Sequence, residues 1–273
     1  MTDTAAATTL RFSRLLLTGA AGGLGQVLRP RLKACCDVLR VSDIADLGDA
    51  APGEEVRPCA LEDKAGVIAL LEGVQAVVHL GGISTERAFE DIVGPNIQGL
   101  FHLYEGARLH GAKRIVFASS NHVTGFRRQD ETVSPREPVR PDGYYGLSKA
   151  FGENLAQFYF DRWGIETVSL RIGSSFPEPR DRRMLATWLS YDDLERLVVS
   201  ALTAPAVGHT VIYGMSDNRL TWWDNTSARH VGFRPQDSSE PFRAEVEARQ
   251  QRIDLSDPAA VFQGGGFVKM GPF

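Results

Sequence analysis

The feature that most restricts this chain is a short apolar strand at residues 14–18 that runs directly into Gly19-Ala20-Ala21-Gly22-Gly23-Leu24-Gly25 and then into a stretch of helical period. Glycines three apart leave the backbone little choice. Gly19 permits the tight turn out of the strand, Gly22 lets backbone approach a ligand closely, and Gly25 lets the next helix pack near the sheet. The free N–H groups of that helix then face the turn, an arrangement that suits a pyrophosphate.

Downstream, short apolar runs alternate with helical stretches. Strands are expected at residues 14–18, 38–42, 55–59, 76–80, 114–118 and 166–172, and helices at 23–33, 64–72, 89–110 and 144–163. This alternation predicts an α/β protein with a doubly wound parallel sheet, a Rossmann fold. The rhythm changes after Ile172: Pro177, Pro179, a charged loop, a helix at 191–203, a strand at 210–213 and a glycine-rich end follow. We read residues 1–13 as a flexible tail, 14–172 as the dinucleotide-binding core and 173–273 as a small C-terminal substrate lobe packed on that core in one globular unit. Residues 119–143 form a long loop after a strand's carboxyl end, where open α/β sheets bind ligands.

Composition narrows the function classes. A formal net charge of −4 gives no general attraction for nucleic acid or anionic lipid. No apolar run approaches the ~18 residues of a membrane span. Cys35, Cys36 and Cys59 have no metal-ligand spacing, and sparse, odd thiols fit a reducing, cytoplasmic setting. No metal is expected.

Asp43 ends the second strand, about twenty residues beyond the glycines, where the fold brings a carboxylate to an adenosine ribose. It accepts from a 2′-hydroxyl and repels a 2′-phosphate, which favours NAD over NADP. Arg40 is given little weight as a phosphate contact. Further on, Tyr145 and Lys149 lie four apart on one helical face. A phenol with a pKa near ~10 is a poor base at neutral pH, and a neighbouring ammonium is expected to lower that value. Tyr144 is turned away from that face and reads as packing. The cluster Ser119-Ser120-Asn121-His122, at a strand's C-terminal end, offers hydroxyl, amide and imidazole groups to a sugar, though such residues also satisfy loop backbone.

With the glycine turn, the serine and the Tyr-Lys pair in register, the chain resembles the extended short-chain dehydrogenase/reductase family. The carrying segments include Leu80-Gly81-Gly82-Ile83-Ser84, Phe117 to His122, Arg140 to Lys149, Arg171-Ile172-Gly173-Ser174 and Trp222-Trp223-Asp224-Asn225. The resemblance implies oxidation of the hexuronic acids galacturonate and glucuronate at C1 to an aldarolactone with NAD. Tyr145 would take the hydroxyl proton, with Lys149 and Ser120 completing the catalytic set. It further implies cofactor contacts at Gly19, Gly22, Gly23, Leu24, Gly25, Asp43, Leu61, Leu80, Gly81, Lys149 and Ile172. Substrate contacts would be Ser84, Ser120, Asn121, His122, Ser174 and Arg183, the last facing the carboxylate. One departure is Ala60, where the family usually has an aspartate for the adenine amino group; either adenine affinity is weaker or Glu62 or Asp63 substitutes, and backbone contact at Leu61 survives. Asn96 is a relay candidate or a packed helix residue, His79 reads as a core histidine, and Trp222 and Trp223 either wall the pocket or bury area. A homo-oligomer is expected through exposed helix faces. The rival readings are a nucleotide-sugar epimerase or dehydratase and a non-catalytic NAD-sensing protein.

Overall fold

The computed structural model describes residues 11–250, 252, 254–271 and 273; most of the predicted tail, residues 1–10, lies outside them. Seven strands, β1 (Phe12–Thr18), β2 (Cys36–Ser42), β3 (Glu54–Val56), β4 (Ala76–His79), β5 (Arg114–Ser120), β6 (Glu166–Ile172) and β7 (His209–Gly214), form one sheet. Its order is β3-β2-β1-β4-β5-β6-β7, and every pairing is parallel. Parallel strands need crossovers, and helices supply them on both faces. Alternate side chains of β1 show this: Leu15 and Leu17 enter one core with Leu28 and Leu32 of α1 (Gly23–Leu32) and Leu194 and Leu197 of α7 (Tyr191–Thr203). Leu16 enters the other, with Val67 of α2 (Lys64–Leu70), Leu100 and Leu103 of α4 (Gly99–His110), and Ala156 and Tyr159 of α5 (Tyr144–Trp163).

The chain moves from β1 outward to β3 and returns to β4 on the other side of β1. That reversal opens a crevice above the carboxyl ends of β1 and β4, the position where such sheets bind ligands. Residues after Ile172 are continuous with this sheet through β7 and α7, and among the described residues no helix is long and apolar enough to cross a membrane.

Three expected elements differ. β3 ends at Val56 because Pro58 has no N–H for the ladder, although Arg57 and Cys59 still donate backbone bonds to Val41 and Asp43. The helix expected over 89–110 is α3 (Phe89–Ile92), a π-helical segment (Val93–Gln98) and α4. Pro95 lies inside it, and a proline ring there clashes with the carbonyl four residues back, so the turn widens locally. Residues 119–143 are less free than a loop: Ser119 and Ser120 finish β5, a 3₁₀ turn covers Asn121–Thr124, and isolated bridges join Arg128 to Phe262 and Val133 to Trp223.

A buried ion pair ties these layers together. Arg171 on β6 donates to both carboxylate oxygens of Glu153 on α5 at 2.9 and 2.8 Å, and to the Tyr213 hydroxyl at 3.0 Å. Ser119 of β5 also donates to Glu153, at 2.6 Å, and Tyr213 shares a 3.0 Å bond with Thr124. The pair is well satisfied, yet removing one partner strands the other charge in low dielectric. Glu153→Ala is expected to cost about 3–5 kcal/mol in urea denaturation, whereas Ser119→Ala, which leaves the pair intact, costs about 1 kcal/mol. An unchanged midpoint in Glu153→Ala would mean that the pair does not hold α5 in place.

Candidate active site

The glycine turn closes against the loop after β4. Gly19 adopts φ +70°, and a Cβ there would lie 2.6 Å from the Gly81 nitrogen and the Leu80 carbonyl carbon, so only glycine allows the two turns to meet. A Cβ at Gly25 would lie 2.1 Å from the Gly19 oxygen, which explains the third glycine as helix packing. Gly23 differs, with open space where its Cβ would be. Gly22 caps α1 without a side-chain hydrogen bond, and the first turn has no acidic residue. The N–H groups of Gly23, Leu24 and Gly25 therefore have no helical acceptor and suit an anion.

Asp43, half-buried at the end of β2, accepts from the Ala21 nitrogen at 3.0 Å and the Ala45 nitrogen at 3.1 Å, which holds its carboxylate beside the glycine turn. Leu61 reaches the same crevice, since a Cβ at Gly81 would touch its Cδ1 at 3.1 Å. Asp63 caps α2 by accepting from the Gly66 nitrogen at 3.1 Å, while Glu62 is exposed. Arg40 is buried on Glu55 and on the carbonyls of Leu70 and Glu72, so its function is structural. His79 is a core histidine as expected: Thr18 bonds its Nδ1 at 2.7 Å, and burial with nearby Lys149 pushes its pKa down to about 3.

Tyr145 and Lys149 are both buried on the inner face of α5, and exposed Tyr144 packs on Phe89. The ammonium lies 5.6 Å from the Tyr145 ring centroid and 5.0 Å from that of Phe117. Here the expectation from sequence needs correcting. Burial pushes the phenol up to about 12, the Ser120 side chain pulls it down and Asp142 pushes it up again; Lys149 is not the group that lowers it. Burial also pulls Lys149 down to about 8. Low dielectric disfavours both charged forms more strongly than the pair relieves it at this separation.

Beyond the carboxyl ends of β5 and β6, the structure brings Ser120, Asn121, Ser174 and Arg183 together. Arg183 donates to Ser174 Oγ at 3.1 Å and to the Gln263 carbonyl at 2.6 Å; with the Asn121 amide oriented to match its neighbours, its oxygen accepts from Arg183 at 2.6 Å and its nitrogen donates to the Ile172 carbonyl at 3.0 Å. These acceptors are neutral, and among the described residues no carboxylate lies within 4.0 Å of the guanidinium. Three of the five N–H groups are used, and the two left are what a carboxylate takes in a forked pair. Ser84, by contrast, is exposed and makes no side-chain hydrogen bond among the described residues. Asn96 spends its amide on Ile83 backbone at 2.7 and 3.0 Å and on Ser148 at 3.0 Å, so it is packed as a brace. Trp223 stacks on Tyr213 at 4.7 Å within a buried cluster that includes Trp222, which favours the burial reading of both tryptophans.

Four residues of this site were not singled out from sequence. Glu86, from the loop after β4, accepts from the Tyr144 and Tyr145 nitrogens at 2.7 and 2.9 Å and so caps α5, whose Gly143 N-cap has no side chain to do it. Asp142 Oδ2 lies 2.7 Å from His122 Nδ1, and the two share a hydrogen bond. Gln263 is fully buried, offers its carbonyl to Arg183 and bonds Trp223 and two loop carbonyls with its amide. Phe267 stacks on His122 at 3.8 Å. The glycine-rich end was the only sequence signal for the last two.

The model of the NAD dependent epimerase/dehydratase family matches residues 15–205. A uronate dehydrogenase of Pseudomonas putida is 62% identical over 267 residues, 97% of this chain and 99% of that protein. A uronate dehydrogenase of Agrobacterium fabrum is 49% identical over 93% of this chain and 96% of its own length. The crystal structure of a mutant uronate dehydrogenase from Agrobacterium tumefaciens complexed with NAD superposes with a TM-score of 0.93 at 48% identity, covering 96% of this chain and 99% of that one.

The Glu86 cap has a direct test. Glu86→Ala removes two charge-assisted acceptors from the first turn that carries Tyr145, with an expected cost of about 2 kcal/mol. Glu86→Gln keeps one acceptor and should recover part of it. Equal denaturation midpoints for both variants and the parent would overturn the assignment.

Proposed function

The chain belongs to the NAD-dependent epimerase/dehydratase family, and on that premise we propose that it oxidises galacturonate and glucuronate at C1 to the aldarolactone with NAD. The observation that carries this reading is Arg183, a cation held among neutral oxygens near the tyrosine-lysine helix with two N–H groups left over. A neutral sugar has no group to match it; a hexuronate does. The nucleotide-sugar reading has less support, because the relatives matched at 49–62% identity over nearly their whole length are uronate dehydrogenases.

In this mechanism Arg183 orients the substrate by its carboxylate, and Ser120 and Asn121 hold the reacting end. NAD, when bound, supplies the hydride acceptor and a positive charge that opposes the upward push of burial on the phenol. The C1–H bond breaks with its electron pair passing to that acceptor, the C1–O bond becomes a carbonyl, and the hydroxyl proton passes to Tyr145 Oη once the phenol has released its own proton, the ionised form that the positive charge of the bound cofactor favours. Lys149 holds a charge beside the tyrosine below about pH 8. Its four-carbon stem also allows it to reach a cofactor ribose. Asp43 selects an unphosphorylated ribose.

Purified protein should reduce NAD with either uronate, and should not do so with galactose. NADP should serve less well, because the Asp43 carboxylate repels a 2′-phosphate. Tyr145→Phe should lower turnover about a thousand-fold while NAD binding, read by fluorescence, stays near the parent value. Near-normal turnover in that variant, or equal rates with galactose, would sink the reading.

Self-association fits the surface as well. Tyr144, Leu147, Phe151 and Phe158 form an exposed apolar stripe at helical spacing on α5, and Phe101 and Leu109 of α4 are exposed too. We propose that a second copy covers this stripe. Light scattering should give a mass above 29.9 kDa, and Phe158→Glu should lower it; a monomeric parent would refute the idea.

A further inference from the structure

His122 and Asp142 form a buried couple that the mechanism above does not use. The Asp142 side chain is completely enclosed, with Oδ2 2.7 Å from His122 Nδ1 and Oδ1 unpartnered among the described residues. Three chain segments make room for it. A Cβ at Gly125 or at Gly264 would lie 1.9 Å from Oδ2, and one at Gly146 would lie 3.2 Å from Oδ1. A carboxylate caged this closely cannot turn away from the imidazole. The ring is clamped as well, stacked on Phe267 at 3.8 Å and edge-on to Tyr145 at 5.8 Å.

An ionised carboxylate offers only acceptors, so Nδ1 must carry the proton. Burial, chiefly, and the Arg183 charge hold His122 below the ordinary histidine range, against the opposing pull of Asp142 and Glu86. At neutral pH the ring is therefore uncharged, and Nε2 keeps a lone pair that no described residue engages.

We propose that Asp142 is a positioning residue which fixes His122 as the Nδ1–H tautomer, so that Nε2 accepts a hydrogen bond from a ring hydroxyl of the hexuronate. The proposal rests on the uronate reading for the identity of that hydroxyl; the tautomer itself does not. The groups that set the titration of His122 are Asp142 from the segment before α5, Glu86 from the loop after β4 and Arg183 from the segment before Met184; Tyr145 and Phe267 pack on it uncharged.

The test combines long-range ¹⁵N NMR of histidine-labelled protein with kinetics. In the parent, His122 should be protonated at Nδ1 and unprotonated at Nε2 at neutral pH. In Asp142→Asn, whose amide can donate to Nδ1, the proton should move to Nε2. That variant should raise KM for galacturonate about tenfold, the equivalent of ~1.4 kcal/mol, with NAD binding changed far less. In the parent, KM should also rise as acid protonates Nε2, at a pH below the ordinary histidine range. An Nε2–H tautomer or a charged ring in the parent would overturn the proposal, as would an unchanged KM once the tautomer has switched. A parent that binds NAD and shows the Nδ1–H tautomer but does not oxidise uronates would refute the functional reading and leave the Asp142 assignment standing.

Discussion

The buried pair between Glu153 and Arg171 sets the frame in which the chemistry takes place. Tyr145 and Lys149 stand on α5 and Ser120 at the end of β5, and side chains on different elements hold a fixed geometry only if the elements cannot slide. Glu153 lies one turn beyond Lys149 and receives bonds from β6 through Arg171 and from β5 through Ser119. One carboxylate thus indexes the helix against two strands, and Tyr213 and Thr124 extend the connection to β7 and to the turn after β5. An apolar replacement would pack, but it would not specify register in this way.

Burial dominates the electrostatics of the site. It favours the neutral forms of Tyr145, Lys149, His79 and His122 alike. Arg183 is the exception, since a guanidinium does not deprotonate in proteins, and the surrounding segments give it hydroxyl, amide and carbonyl oxygens in place of a carboxylate. Positive charge is consequently kept at Arg183, while the Tyr145 phenol is kept out of water.

Local pattern made much of this legible in the sequence. The glycine turn, Asp43 and the spacing of Tyr145 and Lys149 are all written within single elements, and α5 and α7 begin and end where periodicity put them. Legibility fails where partners are far apart. Glu86 gives no capping-box signal because it lies 58 residues before the nitrogen it accepts from, and Gln263 lies 80 residues beyond Arg183. The break in the helix expected over 89–110 falls at Pro95, and the apolar period on either side does not show it. The sign of the Tyr145 shift depends on depth of burial, which helical spacing does not encode.

The segment around Gln263 carries one more consequence. It bonds backbone at Arg128 and Glu131, 135 and 132 residues away, and its carbonyl fixes Arg183. Contacts of such high sequence separation have a large loop-closure cost and tend to form late in folding. The sheet does not depend on these bonds, whereas the orientation of Arg183 does. Local opening of this segment is therefore a route to losing the orientation of Arg183 that leaves the sheet intact.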